Sequence, residues 1–348
     1  MGAFQRTADA LTGFLPHRED RTPAMRTAGA PSLPAAPYRG ETYYEMPSVK
    51  ASPWHGLVSS YIFVAGLSGS AQVIATLADL FGRGEMESVV RRGRHIALLA
   101  PAIGGPLLII DLHTPKRFYN MFRIVRSTSP MSIGTYILSA FSLFSGITVA
   151  AELLGGRGRT VARVAQVPAA LAGAGLSFYT AALLSATSTP LWAAAPRLLA
   201  ARFAASSMAT AAAALSLAEQ VDGIDDGSIE KLEAVGAVAA IAEVAVTVAA
   251  ERRCREMGVA APLERGSWAT LDKGGALAIG IGVPLALFGL NMVLRRRSRA
   301  ASAVAGLAVL AGGMMMRHAI LEAGNDSANL PRAYFSLTQS RGDARGRR

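Results

Sequence analysis

One cysteine, Cys254, is all the thiol chemistry available to this chain of 348 residues. An internal disulfide is therefore excluded. So is an iron–sulfur cluster held by this chain alone, which needs about four cysteine ligands. Charge is also scarce, with Asp, Glu, Lys and Arg making up only 17% of residues. Histidine occupies five positions: His17, His55, His95, His113 and His318. A b-type haem needs two histidines facing one another inside a bundle. His17 belongs to an N-terminal tail and His95 to the opposite membrane edge, and His55 and His318 both fall near an edge, so neither haem nor a bound metal is expected. No Walker loop or dinucleotide fingerprint stands in a strand–turn–helix context. There is no convincing internal repeat, and the N-terminus lacks the charged n-region and short apolar h-region of a cleaved signal. The net charge of +11 does not form a basic stripe interleaved with aromatics, so nucleic acid is not an expected partner.

Apolar length is abundant. Half the chain (51%) is hydrophobic, and the apolar residues come in runs of roughly 20, enough to span about 30 Å of hydrocarbon at 1.5 Å per residue. A soluble helical protein would alternate apolar and polar faces, and these runs mostly do not. The reading is an all-α, polytopic membrane protein with eight transmembrane helices. The spans are placed near 55–80, 95–112, 131–152, 163–186, 198–218, 231–251, 273–293 and 300–321. Residues 1–52, rich in Pro, Arg and Thr, are expected to form a disordered tail. Residues 53–324 hold the helical domain and 325–348 a polar C-terminal tail. The fifth and sixth spans are alanine-rich and should be shielded by the bundle or by a partner. An even number of spans puts both termini on one side, and loop Lys and Arg number 10 on that side against 12 on the other. That balance leaves orientation open.

The polar stretch Asp111-Leu112-His113-Thr114-Pro115-Lys116-Arg117-Phe118-Tyr119-Asn120 lies between the second and third spans. Pro115 ends any helix entering it, because it lacks an N–H and pushes residue 114 out of the α region. A second group of titratable residues lies inside spans or in their last turns, where a charge is costly (~2.5–3.5 kcal/mol on insertion scales) and usually has a role. Glu243 is near the middle of the sixth, Arg202 in the first turns of the fifth, and Arg317, His318 and Glu322 in the last turns of the eighth. Interhelical ion pairing is one account of them. A proton path running through Glu243 toward Glu152 or Glu219 on the far side is the other.

The loop from Asp111 to Asn120, followed by Ser129-Pro130-Met131-Ser132-Ile133-Gly134, resembles the NrfD / polysulfide-reductase membrane-subunit family. Trp54-His55, Tyr179-Thr180, the run Ala186 to Trp192, Arg317-His318 and Glu322-Ala323-Gly324 fit the same pattern, over about residues 53–340. His113 departs from it, since that loop usually carries glycine there. The resemblance implies a haem-free subunit that binds a quinone (ubiquinone or menaquinone) at the membrane edge. It also implies a ferredoxin-like iron–sulfur partner and a separate catalytic oxidoreductase subunit, in some members a molybdenum enzyme. The setting would be a bacterial cytoplasmic membrane, and the protein a subunit rather than a stand-alone enzyme.

The positions matching the family's quinone pocket are His55, Pro101, Asp111 and Tyr179. His55 and Tyr179 are expected to hydrogen-bond one quinone oxygen, with Asp111 orienting His55 or relaying protons, imidazole being the side chain suited to proton transfer near neutrality. Against this, Asp111 could simply pair with Arg117, and Tyr179 could be core packing with its hydroxyl on a carbonyl. Two other classes remain open: a secondary transporter whose intramembrane charges line a path, and a purely structural membrane anchor.

Overall fold

The computed structural model describes residues 49–338 apart from Arg83, His113, Ile124, Ser127, 222–225 and 295–297. His113, Tyr43, Tyr44 and nearly all of the expected N-terminal tail thus lie outside the described residues. Among the described residues all regular structure is helical. Eight helices are long and apolar enough to cross a membrane: α1 Gly56–Phe81, α2 Glu87–Asp111, α3 Pro130–Leu154, α4 Gly158–Ser185, α5 Pro196–Val221, α6 Gly227–Glu256, α7 Ser267–Asn291 and α8 Arg299–Ala328.

Most of these helices outrun the apolar runs that reveal them, because backbone groups at the membrane edge still gain from intrahelical pairing. The largest extension is at α2, which starts at Glu87 rather than near 95. Val89, Val90, Gly93, Arg94 and Ala97 recur at helical spacing and are buried, with Gly93 set against Ala71 and Ala75 of α1. Helix α3 stops at Gly155, whose φ of +61° is a backbone state that glycine reaches without a Cβ penalty. At the other end of the sequence, α8 runs on to Ala328 and a short helix, Pro331–Thr338, follows. The described part of the expected polar tail is therefore helical. Ala333 is buried with Leu191, Cys254 and Val259, which explains why this stretch docks.

Helix α1 is the axis of the bundle and packs against α2, α4, α5 and α8. Small residues make this possible where bilayer and side chains are equally apolar and close contact must supply the attraction. Gly69 meets the backbone of Gly173 in α4, and Gly66 meets Ser207 of α5, so closely that a methyl at either glycine would collide. Helices α7 and α8 cross in the same way at Gly280 and Gly312. Of the two alanine-rich spans, α5 is enclosed as expected. In helix α6, Ala239 and Ala240 turn inward, while Val238 and Ile241 are left uncovered by the bundle.

Two spans contain π-helical turns. In α2 the turn covers Ala100–Gly104, beside Pro101 and Pro106, which lack the N–H groups that regular α pairing would use. In α7 it runs from Leu271 to Gly282, through a stretch of small residues, and ends before Pro284. Wider turns of this kind shift side chains around the helix axis and recur at functional sites. Here the π segment of α7 carries Leu271 and Asp272, both used below.

If close approach holds α1 to α4, Gly69→Val is expected to lower unfolding stability in detergent by about 1–3 kcal/mol through overpacking. Gly289→Ala, which meets nothing within 4 Å, is expected to leave stability unchanged or slightly raised. Thermal unfolding of the two variants checks both.

Candidate functional site

The backbone enters α1 through Pro53-Trp54-His55, and the end of α8 fixes that entry. Asn325 donates from Nδ2 to the Trp54 carbonyl at 3.0 Å and accepts from the Ser52 amide at 3.1 Å. The Trp54 ring stacks on Trp192 at 6.4 Å. Trp192 is fully buried, donates to the Ile320 carbonyl at 2.9 Å, and occupies a slot that exists because residue 324 is glycine. Trp54 thus belongs to this clamp.

The clamp places His55 at the mouth of a cleft of about 810 Å³ on the side of the termini. Its polar lining is His55, Ser60, Asp111 and His318, and its apolar walls include Leu57, Leu271, Met314 and Met315. The His55 side chain is 66% exposed, and its Nδ1 lies 3.1 Å from Glu322 Oε1. A carboxylate at Nδ1 favours the tautomer with the proton there and leaves Nε2 to the cleft. The partner orienting His55 is therefore Glu322 rather than Asp111. Asp111 ends α2 and lines the cleft, and its carboxylate pairs with neither Arg117 nor any other described residue.

His318 lies one turn before Glu322 on α8. Its Nδ1 is 3.2 Å from Ser59 Oγ, and its ring meets the edge of Trp268 at 5.6 Å. Trp268 in turn donates to Asp326 at 2.8 Å. His318, Glu322 and Asp326 recur at intervals of four, so they share one face of α8. That spacing is plain in the sequence and would have gathered all three. Nothing in the sequence marks Trp268 or Leu271 as their neighbours, since both come from α7.

Tyr179 and Pro101 are placed elsewhere. Tyr179 is buried in α4, donates its hydroxyl to the Pro130 carbonyl, and lies against Gly134, where any side chain would overlap its ring. It seats the first turn of α3 and does not line the cleft. Pro101 begins the π turn of α2 and is likewise absent from the lining.

Deeper in the bundle the intramembrane charges form one cluster. Arg202 pairs with Asp272 at 2.5 Å, both side chains almost fully buried. The Arg317 guanidinium donates to the Gly313 carbonyl at 2.8 Å, to Ser207 at 2.8 Å and to Ser206 at 3.3 Å, between the Phe63 and Phe203 rings. Ser206 also bonds Glu243, so it links Glu243 to Arg317. Asp272 escapes a reading by apolar runs because it stands at the boundary of one, and helix α7 starts earlier, at Ser267. On the far side, Glu219 meets Arg92 at 2.7 Å and Glu152 meets Arg94 at 3.3 Å, both arginines on α2.

Among the described residues no three His, Cys, Asp or Glu side chains gather as a metal-ligand set. Apolar walls with two imidazoles and a carboxylate suit a flat redox-active ring that exchanges protons.

Eight apolar helices around buried charges, with a titratable cleft at one edge, define a multi-pass integral membrane protein. The chain belongs to the polysulphide reductase NrfD family, whose model matches residues 45–327. It is similar to the C subunit of polysulfide reductase from Wolinella succinogenes, at 31% identity over 91 residues. That match covers 25% of this protein and 29% of the relative's length.

Because Arg202 and Asp272 are both buried, Arg202→Met alone is expected to cost about 3–5 kcal/mol by stranding a charge. Arg202→Met with Asp272→Leu is expected to recover most of that loss. Unfolding of the two variants in detergent reads the difference, and equal losses would contradict the pairing.

Proposed function

We propose that the protein is the quinone-reactive membrane subunit of a multi-subunit oxidoreductase in a bacterial cytoplasmic membrane. In this reading a quinone head (ubiquinone or menaquinone) occupies the cleft lined by His55, Asp111 and His318. Electrons pass between it and an iron–sulfur cluster in a ferredoxin-like partner on the same membrane face, and that partner connects to a catalytic oxidoreductase subunit. The observation that carries the reading is the His55–Glu322 pair at the mouth of an apolar-walled cleft. Family membership and the relative's name as one subunit of a reductase add support.

The chemistry follows from the side chains. Reduction of quinone to quinol takes two electrons and two protons, and oxidation of quinol returns them. A protonated His55 would donate to one quinone oxygen, and a neutral His55, with its proton on Nδ1 against Glu322, would accept from a quinol hydroxyl. Glu322 holds the ring in place, so it is a positioning residue. Asp111, whose carboxylate has no partner among the described residues, and His318 are the candidates for the second proton. Tyr179, whose hydroxyl is engaged with Pro130, would reach a quinone only after releasing that bond. Pro101 would act through the π turn it begins.

The buried cluster supplies a second stage to the proposal. Protons would leave the cleft past Arg317 and Glu243, beside the Arg202–Asp272 pair, and go on toward Glu219 and Glu152, which pair with Arg92 and Arg94. A secondary transporter would use the same cluster and have no need of the cleft histidines.

The experiment is turnover with quinone and quinol by the membrane-purified protein together with its co-purifying proteins. His55→Ala is expected to reduce turnover by about 10²-fold or more, the lower range for loss of a general acid–base group. Glu322→Gln is expected to cause a smaller loss without affecting assembly. Full turnover by an assembled His55→Ala complex would move the site elsewhere. Absence of both a redox partner and quinone turnover would leave transport as the reading to pursue.

A further inference from the structure

At the membrane edge opposite the His55 cleft, the bundle does not close. A crevice opens between α6 and α7, with a floor formed by α5 and α8. Ala212 and Ala305 form part of the floor, and Gly236, Ala240, Pro284 and Phe288 part of the walls. Small residues usually draw helices together, and here they leave space. A methyl added to Gly236 would come no nearer than 3.7 Å to the Ala212 side chain.

A second observation is independent of residue size. Ser302 of α8 faces this crevice, is only 7% exposed, and its hydroxyl has no hydrogen-bond partner among the described residues. Serines in an apolar bundle normally donate to the carbonyl one turn back, as Ser139, Ser142 and Ser145 do in α3. A buried donor left unmet in hydrocarbon calls for an acceptor that the described residues do not supply.

Polarity is graded along the crevice. Ser216, Glu233, Asn291 and Ser302 line its end at the membrane edge, and Ala240, Pro284 and Val309 line the part nearer the midplane. Arg299 lies one turn before Ser302 and is exposed, the last residue of the run Arg295-Arg296-Arg297-Ser298-Arg299 in the sequence. We propose that this crevice is a lipid site, holding one acyl chain of an anionic phospholipid. The ester carbonyl of that lipid accepts from Ser302, and its phosphate lies toward Arg299. A crevice of about 70 Å³ suits a hydrocarbon tail seated in an open slot better than a ring that must be covered on both faces. The site is independent of the redox reading and lies in the other leaflet.

The test uses the full-length protein with its co-purifying proteins in phosphatidylcholine vesicles. The vesicles carry a trace of phosphatidylglycerol with a photoactivatable diazirine on one acyl chain. Label is expected around Gly236, Ala240 and Phe288, and should be displaced by unlabelled phosphatidylglycerol but not by added ubiquinone. Ser302→Leu, which fills the slot, is expected to reduce that labelling by about tenfold, equivalent to ~1.4 kcal/mol. Labelling at the lipid-facing Leu171 and Phe178 of α4 should not change. Gly236→Ala fills less, favours helix, and is expected to cut labelling about threefold, which covers the case in which Ser302→Leu fails to fold. Label spread evenly over the crevice and α4, or unchanged in the folded variants, would overturn the site. Displacement by ubiquinone alone would overturn the phospholipid assignment.

Discussion

A charge buried in a membrane protein has no water to turn to, so its counter-charge must come from another helix. Arg202, Glu243, Asp272 and Arg317 meet that demand together, and they come from α5, α6, α7 and α8 respectively. Arg202 pairs directly with Asp272, and the hydroxyls of Ser206 and Ser207 take up guanidinium hydrogens of Arg317. This constraint ties four helices that otherwise share mostly small side chains, and it fixes the rotation of α8 about its own axis.

The rotation of α8 matters because its other face builds the cleft. With Arg317 held inward, His318 and Glu322 turn toward the entrance of α1. One turn further on, Asn325 fastens the backbone that delivers His55. Trp54 and Trp192, with Gly324 giving the latter its slot, make that fastening rigid. The cleft therefore stands on an interior ion-pair network on one side and an aromatic clamp on the other. Its opposite rim is Asp111, where Pro115 prevents α2 from continuing through the loop.

The eight spans were legible because hydrocarbon thickness sets a run length that composition reveals directly. Their ends were less so. Helix α2 begins among arginines that read as loop residues, because Arg94 is buried against Gln166 and Arg92 against Glu219 only once the fold exists. His55 and Asp111 could be paired as candidates from motif order, and the structure brings both to one cleft. The role of Glu322 required knowing that the last turn of α8 folds back over the start of α1, far away in sequence, which no local pattern encodes. Tyr179 illustrates the opposite limit. A tyrosine after a glycine-rich stretch could serve a ligand or the packing, and the missing side chain at Gly134 is what seats its ring.

The proposed quinone site lies between His55 and Asp111. Electron cryo-microscopy of the membrane-purified complex with added quinone tests it most directly. The account requires ring density bounded by His55, Asp111 and Met315, with a quinone oxygen within hydrogen-bond reach of His55 Nε2. Ring density beside Tyr179 and Pro101, with the His55 cleft holding only solvent, would contradict it.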